Sequence, residues 1–373
     1  MSYRFSRLVG VASVAALVFA ACSSGATASP PASTPAASTP PASTAPTSTV
    51  PASTVAGSPA ASCAASGSLS VVFIPKQINN SYFDAAATGG KKAACELGGS
   101  FDQQGPSTAA SDAQVPFIQD ATTKKVSAIA ISADDPNAIA PALTAAMAAG
   151  IKVVGYDSSP AAGAYNVFVN QTDFGLIGQS MADWACDLAP SCTGEIAVLS
   201  ATATATNQNA WIASMKTVLA GAKYAGLKLD GVVYGNDDPQ ASTTQAQALL
   251  QKYPNLKVII APTTVGILAA AQVVKQAGSS VKVTGLGFPN DMRSFVKDGT
   301  TPEFGLWSVP DLGYLAYWIS AKLVSGDIKG TVGETFTVPS LNGGKPYTIA
   351  ANNVVILGPP LTFNKDNIDT FNF

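Results

Sequence analysis

The stretch IAVLSATATATNQNAW, residues 196–211, contains a short apolar run, a polar loop and the start of a second apolar pattern. The apolar run 196–199 is bounded by Gly194 and Ser200, which indicates a buried parallel strand. The apolar residues after the loop recur with the spacing of one helix face: Trp211, Met215, Val218 and Ala222. A strand followed at once by a helix is typical of α/β folds.

The loop between this strand and this helix leaves the carboxyl end of the strand, where open α/β sheets bind ligands. Its polar side chains are all neutral: Thr202, Thr204, Thr206, Asn207, Gln208 and Asn209. We therefore expect a neutral, hydroxyl-rich ligand at this point. The alternative is a helix cap, because Thr and Asn are favoured at helix N-termini.

Strands and helices alternate from Ser68 to about residue 307, which predicts parallel sheets covered by helices. The strand cores are LSVVFIP, AIAIS, KVVGY, NVFV, EIAVLS, GVVYG, KVIIAP, KVTGLG and FGLW. The first helix should begin at Ser81, three residues before Asp84 as in a capping box, and end at Gly98.

Two segments share one layout, residues 128–159 and residues 257–289. Each reads as a strand, a polar turn, an Ala-rich helix, a glycine and a second strand, which predicts two similar lobes with a cleft between facing strand ends. In the last sixty residues, Gly343-Gly344 indicates a hairpin turn, and VVILGPPLTF, residues 354–363, a strand that runs back between the lobes.

The composition excludes several classes of function. The chain has 373 residues, a net charge of −2 and scattered basic residues, so we expect no nucleic-acid partner. It has no histidine, which removes the commonest general base and zinc ligand. The motif TGLGFPN has Asn290 where a dinucleotide loop needs a third glycine, and Lys345 follows two glycines without the rest of a phosphate loop. We expect no enzyme activity, metal or cofactor.

Residues 1–21 have the pattern of a signal peptide, with Arg4 and Arg7 before an apolar run that ends at Cys22. The pattern resembles a bacterial lipoprotein signal, which implies a lipid on Cys22 and an anchor on the outer face of the cytoplasmic membrane. A plain signal peptide cut nearby is the alternative. Residues 22–62 are rich in Ser, Thr, Ala and Pro, a composition typical of a semi-extended tether.

With Cys22 set aside, four cysteines allow three pairings. The segment CDLAPSC closes a short loop that contains a proline, so we expect a disulfide between Cys186 and Cys192. Cys63 and Cys95 would then form the second disulfide. Free buried thiols are the alternative, which an exported protein disfavours.

Polar side chains follow the predicted strands at their carboxyl ends: Lys76, Ser132, Asp134, Asp135, Asn137, Asp157, Asn170, Gln171, Asn207, Gln208, Thr263, Thr264 and Asn290. Together with the rings of Tyr82, Phe83 and Trp307 they suit a sugar, which needs hydrogen bonds for its hydroxyls and a flat face for its C–H groups. For each polar residue alone, a solvated turn is the alternative. Asp-Pro at positions 135–136 also fits a helix cap with proline in the first turn.

Several motifs together resemble the periplasmic sugar-binding proteins of ABC importers, in the branch of the rhamnose-binding proteins and autoinducer-2 receptors. They are IPK (74–76), ISADDPNA (131–138), YDS (156–158), SATATATNQNAW (200–211), YPNLKVIIAPTTVG (253–266), VTGLGFP (283–289), FGLW (304–307) and FNKDNID (363–369). The resemblance covers the chain from about residue 69 to its end.

The resemblance implies the type I binding-protein fold, in which two doubly wound parallel-sheet lobes are joined by a three-strand hinge. The crossovers would lie near Asn170, Trp307 and Ile356. The N-terminal lobe would comprise residues 69–171 plus 308–355, and the C-terminal lobe residues 172–307 plus 356–373.

The ligand contacts that the resemblance to autoinducer-2 receptors implies are Lys76, Asn137, Asn207, Gln208, Pro262 and Thr264. Those receptors carry Asp in place of Asn137 and Asn207, and Ala in place of Thr264, so recognition of autoinducer-2 is disfavoured. The complete set of candidate ligand residues is Lys76, Tyr82, Phe83, Asp135, Asn137, Asp157, Asn207, Gln208, Pro262, Thr263, Thr264 and Trp307.

These observations predict a monomeric, lipid-anchored protein that captures a neutral monosaccharide, rhamnose-like or a related deoxysugar or polyol. It would deliver this sugar to the transmembrane subunits of an ABC permease. The alternative is a receptor of the same fold that senses autoinducer-2 or a sugar.

Overall fold

The computed structural model describes residues 67–373. The predicted signal peptide, lipidation site Cys22, tether 22–62 and Cys63 lie outside these residues. Within the described range, no helix combines the length and the apolar character that crossing a membrane requires.

Strands and helices alternate through most of this range. The helices are α1 Ser81–Leu97, α2 Val115–Thr123, α3 Pro136–Ala148, α4 Phe174–Leu188, α5 Thr206–Leu219, α6 Pro239–Lys252, α7 Thr264–Gln276, α8 Pro289–Lys297 and α9 Val309–Ser325. The strands are β1 Ser70–Ile74, β2 Ser100–Gln103, β3 Ala128–Ile131, β4 Lys152–Tyr156, β5 Val167–Asn170, β6 Gly194–Ser200, β7 Leu227–Tyr234, β8 Leu256–Ala261, β9 Lys282–Gly285, β10 Glu303–Leu306, β11 Thr335–Phe336, β12 Tyr347–Thr348, β13 Val354–Ile356 and β14 Leu361–Asn364.

The first sheet has the strand order β2-β1-β3-β4-β5-β13, with all neighbours parallel. Alternate residues of β1 enter two different cores: Val71 and Phe73 lie in one, Val72 and Ile74 in the other. Because successive side chains of a strand point to opposite faces, the sheet is buried on both sides. We call this sheet with its helices lobe 1.

The second sheet has the order β7-β6-β8-β9, also parallel, and includes the stretch that opens the sequence analysis. A bridge between Leu286 and Gly305 continues it to β10, which pairs with β14 in antiparallel orientation. We call this sheet with its helices lobe 2. The predicted α/β fold with parallel sheets is confirmed.

The chain passes between the two lobes three times. It leaves β5 after Asn170 and enters α4, which packs against α5. It leaves β10 after Leu306 and enters α9, which packs against α1 of lobe 1. It passes again between β13 and β14.

Local details differ from the sequence predictions. The stretch 354–363 is two strands in different sheets, because Pro359 and Pro360 lack the N–H groups that a continuous strand requires. Gly343 and Gly344 lie in a 3-10 turn, Asn342–Gly344, within a longer connection between β11 and β12. The edge strand β2 was missed because its sequence, SFDQ, has no apolar run.

The ends of α1 are set by two residues. The helix begins at Ser81, as predicted, but its N-cap is Asn80, whose side chain accepts a hydrogen bond from the backbone of Tyr82. Gly98 ends the helix in the left-handed conformation, with φ of 66°, as its position predicts. The capping-box spacing misled by one residue because Asn caps as well as Ser.

The cysteines of lobe 2 form a disulfide, Cys186 with Cys192, which joins the end of α4 to the turn after it. Cys95 is also disulfide-bonded. Because Cys63 lies outside the described residues, its pairing with Cys95 stays a prediction.

Candidate functional site

Lys76 lies at the centre of the site, two residues after the end of β1. The residue is 2% exposed, and its Nζ lies 3.6 Å from Oδ2 of Asp157. The same Nζ donates to Oδ1 of Asn207 at 3.2 Å and to Oε1 of Gln208 at 3.4 Å. A buried ammonium group is stable only with such partners, so the position of Lys76 depends on both lobes.

Asp157 is the anionic partner and follows β4 directly. Its carboxylate accepts hydrogen bonds from four side chains: Tyr82 at 3.0 Å, Ser132 at 2.7 Å, Gln171 at 3.3 Å and Asn207 at 3.0 Å. Its φ of 61° is a left-handed conformation, which Asp tolerates better than most residues. The turn and the four donors fix the carboxylate against Lys76.

Three aromatic rings lie beside this polar cluster. The indole N–H of Trp307 donates to the hydroxyl of Tyr82 at 3.0 Å. The Tyr82 and Trp307 rings meet edge to face with centroids 6.2 Å apart, and the Trp211 ring lies 5.6 Å from that of Trp307. Burial, and secondarily the charge of Asp157, raises the pKa of the Tyr82 hydroxyl well above its usual value, so this hydroxyl is a neutral donor.

The cluster and the rings surround a small cavity between the two lobes. The lining residues are Lys76, Asn80, Tyr82, Phe83, Asp157, Gln208, Trp211, Asp237, Pro262, Thr263, Thr264, Leu286, Leu306 and Trp307. Charged, neutral polar and aromatic groups thus face one small volume.

Nine of the twelve candidate ligand residues line this cavity. They are Lys76, Tyr82, Phe83, Asp157, Gln208, Pro262, Thr263, Thr264 and Trp307. A tenth, Asn207, is fully buried behind the lining, where it contacts Lys76 and Asp157.

The structure does not bring Asp135 and Asn137 to the cavity. Asp135 is the N-cap of α3, and its Oδ1 accepts from the backbone N–H groups of Asn137 at 2.9 Å and Ala138 at 3.2 Å. Asn137 itself is exposed. The structure thus shows the alternative interpretation of the Asp-Pro pair, a helix cap. Pro136 occupies the first turn of α3, and Asp135 before it caps the helix.

Asp134, the residue just before Asp135, is 1% exposed. Its backbone carbonyl accepts a hydrogen bond at 2.9 Å from the hydroxyl of Thr204 in lobe 2. Neither oxygen of its carboxyl group has a hydrogen-bond partner within residues 67–373. Burial raises the pKa of this carboxyl to about 8, against the opposing effect of the nearby Lys76.

The polar loop before α5 holds lobe 2 against lobe 1. The N-cap position of α5 is Ala205, which makes no side-chain hydrogen bond to the helix. The alternative interpretation of this loop, a helix cap, therefore does not account for its polar side chains. The Thr206 hydroxyl contacts the Ser158 hydroxyl at 2.9 Å and donates to the carbonyl of Ser159 at 3.0 Å. With the bond from Thr204, these contacts form a clasp outside the cavity, which we name the threonine clasp.

Five lining residues were absent from the candidate set: Asn80, Trp211, Asp237, Leu286 and Leu306. Asp237 is the charged one, and its carboxylate accepts a hydrogen bond from the hydroxyl of Thr263. Burial raises its pKa, while Lys76 and the Thr263 hydroxyl oppose the rise. A signal for Asp237 was present, since residues 237–239 repeat the Asp-Asp-Pro of residues 134–136 just after a strand.

A protein-family model described as periplasmic binding protein domain matches residues 71–328 of the chain. Among solved structures, the chain is similar to an ABC transporter solute-binding protein from Clostridium phytofermentas with bound L-rhamnose. The identity is 41%, the TM-score is 0.79, and the match covers 82% of this chain and 98% of that one.

Two further similarities are weaker, one in structure and one in sequence. The LsrB protein from Clostridium saccharobutylicum, in complex with AI-2, is 24% identical with a TM-score of 0.76, over 82% of this chain and 100% of that one. This similarity shows the fold alone. The D-ribose/D-allose-binding protein of Pseudomonas aeruginosa is 25% identical over 197 residues, or 50% of this chain. The match spans 59% of that protein, which is less than two thirds of its length.

Proposed function

The chain belongs to the periplasmic binding protein family, and we propose that it is the sugar-binding component of an ABC transporter, specific for a neutral monosaccharide. The favoured ligand is L-rhamnose or a related deoxysugar or polyol. The sugar would bind between the lobes, in the cavity around Lys76 and Asp157.

The observation that carries this proposal is the composition of the cavity wall. Lys76 and Asp157 pair with each other and therefore offer a donor and an acceptor with little net charge. The Tyr82 and Trp307 rings offer apolar surface to the C–H groups of a sugar ring. The 41% identity to the rhamnose-bound protein from Clostridium phytofermentas also supports a deoxysugar.

The absence of catalytic groups is consistent with a binding role. The sequence has no histidine, and Lys76 and Asp157 form a salt bridge with each other. Such a site recognises hydroxyl groups and releases them unchanged. The partner that receives the sugar would be an ABC permease.

The arrangement on the cell surface is part of the proposal. Residues 1–21 would be a signal peptide, Cys22 would carry lipid, and residues 22–62 would tether a monomeric binding domain outside the cell. Within that domain, residues 69–171 plus 308–355 and residues 172–307 plus 356–373 would move as two lobes about the three passages of the chain.

A ligand screen tests the proposal. A ligand at a hundred times its dissociation constant stabilises a protein by about 2.7 kcal/mol, which thermal unfolding detects. We expect L-rhamnose or a related neutral sugar to raise the melting temperature of the purified chain. A rise with autoinducer-2 alone would favour a signalling receptor, and no rise with any neutral sugar or polyol would contradict the proposal.

A further inference from the structure

Asp237 lies where the cavity meets a larger outer groove. The residue follows β7 in lobe 2 and is 7% exposed, and it lines both the cavity and the groove. Asn80 and Thr264 also line both spaces. We call the place where the cavity opens into the groove the mouth of the cleft. A side chain at this position would face the outward edge of a sugar bound in the cavity.

Asp237 is held in place from both lobes. Its backbone carbonyl accepts a hydrogen bond at 2.9 Å from Nε2 of Gln77 in lobe 1. Its Oδ1 accepts from the hydroxyl of Thr263 in lobe 2. Its Oδ2 makes no hydrogen bond within residues 67–373. A carboxylate that is held in place and has one oxygen without a hydrogen bond can accept a hydrogen bond from a ligand.

The charges of the cavity make Asp237 distinctive. The charged lining residues are Lys76, Asp157 and Asp237. Lys76 and Asp157 form a salt bridge, so Asp237 in its ionised form gives the wall one negative charge in excess. A sugar hydroxyl satisfies this charge by donating a hydrogen bond, whereas the carboxylate or phosphate of an anionic sugar is repelled.

We infer that Asp237 is a specificity-determining residue, which binds hydroxyl groups at the mouth-facing edge of the ligand and excludes anionic sugars such as sugar acids and sugar phosphates. This inference rests on the proposed function and names the chemical class that its site accepts. The adjacent Asp238 provides a matched control, because it is the N-cap of α6 and lines the outer groove but not the cavity.

Calorimetry with L-rhamnose and its aldonate L-rhamnonate tests the inference on the wild-type protein and on Asp237→Asn and Asp238→Asn. In Asp237→Asn, the side-chain carbonyl can still accept the hydrogen bond from the Thr263 hydroxyl, but the side chain has no charge. We expect Asp237→Asn to weaken L-rhamnose binding by about tenfold to a hundredfold and to narrow the preference for L-rhamnose over L-rhamnonate. Asp238→Asn should change neither value, since Asn also caps helices.

The melting temperature of the ligand-free Asp237→Asn protein separates recognition from folding. A loss of affinity without a fall in this temperature supports the inference. Suppose that the wild type binds L-rhamnose, and that Asp237→Asn changes neither this affinity nor the preference over L-rhamnonate. This result would overturn the inference and leave the proposed function intact. A wild type that binds no neutral sugar would instead refute the proposed function, and the inference with it.

Discussion

The side-chain amide of Asn207 donates a hydrogen bond to the carboxylate of Asp157 across the cleft, with Nδ2 and Oδ1 3.0 Å apart. Its carbonyl oxygen accepts from Lys76, so one neutral side chain of lobe 2 contacts both members of the ion pair in lobe 1. Because these bonds join the two lobes, any movement that separates the lobes must break them. In the proposed function, the polar centre of the site would therefore also stabilise a closed cleft.

The charge of residue 207 should be critical. In Asn207→Asp, a carboxylate oxygen would replace the amide that donates to Asp157, and the two like charges would repel at about 3 Å. We expect sugar affinity to fall more than in Asn207→Ala. We expect no gain of tight autoinducer-2 binding, because Thr264 of the cavity wall also differs from the receptors that bind it. Calorimetry measures both; an affinity equal to that of the wild type would contradict this account of the Asn207–Asp157 contact.

The threonine clasp should strengthen sugar binding without a ligand contact. Thr204 donates to the carbonyl of Asp134 across the lobes, but it does not line the cavity. Replacement by valine removes a bond worth about 0.5–1.5 kcal/mol in the closed state, so affinity should fall by roughly twofold to tenfold. Calorimetry against a neutral sugar gives the value.

Thr202 is the matched control for this substitution. It is a buried threonine of the same loop, and its hydroxyl has no hydrogen-bond partner in residues 67–373. Thr202→Val should therefore leave affinity unchanged. Equal losses in the two variants would mean that the loop responds to any valine and that the clasp has no special role.

Asp134 should make stability depend on pH. Its pKa is about 8 in the folded protein against an ordinary value of 3.8, so between these limits the folded state keeps a proton that the unfolded state releases. Raising the pH across this window therefore favours unfolding, by up to about 1.4 kcal/mol per pH unit. The charged groups around it are Lys76, Asp135, Asp157 and Asp237. Asp134→Asn should remove this loss.

Urea unfolding of wild type and variant between pH 4 and pH 9 measures the effect. The stability of Asp134→Asn relative to wild type should grow as the pH rises and level off above about pH 8. Curves for Asp134→Asn and the wild type that stay parallel would show that Asp134 is ionised at neutral pH.

The lipid anchor gives a prediction for whole cells. If Cys22 carries lipid, the wild-type protein should sediment with membranes, and Cys22→Ala should be released into the soluble fraction or the medium. Fractionation followed by immunoblotting detects the difference. Membrane retention of Cys22→Ala would show that the anchor has been assigned wrongly.

The sequence predicted the parts of the site that follow from strand ends. Lys76, Asp157 and Gln208 each come shortly after a strand of clear apolar pattern, so their convergence at a cleft could be foreseen. Asp135 was placed in the site wrongly, because a polar residue after a strand serves equally well as a helix cap. Spacing alone does not separate these two roles.

Long-range contacts were beyond prediction for a different reason. The bond from Gln77 to Asp237 joins residues 160 positions apart, and its geometry depends on how the lobes approach each other. The strand β2 was missed because an edge strand needs little apolar sequence. The sequence therefore left open how the elements pack against one another, and it also missed the edge strand β2.

The central claim is that the cavity between the lobes binds a neutral sugar through the Asn207–Asp157–Lys76 cluster. Calorimetry with L-rhamnose on wild type, Asn207→Ala and Asp157→Ala tests it most directly. Loss of one partner leaves buried groups unsatisfied in the closed state, at a cost of about 1–3 kcal/mol. We predict affinities roughly tenfold to a hundredfold weaker in both variants. The melting temperature of the ligand-free protein should change little in Asn207→Ala, whereas Asp157→Ala also leaves Lys76 without its anionic partner and should lower it. Wild-type affinity in both variants would contradict the claim.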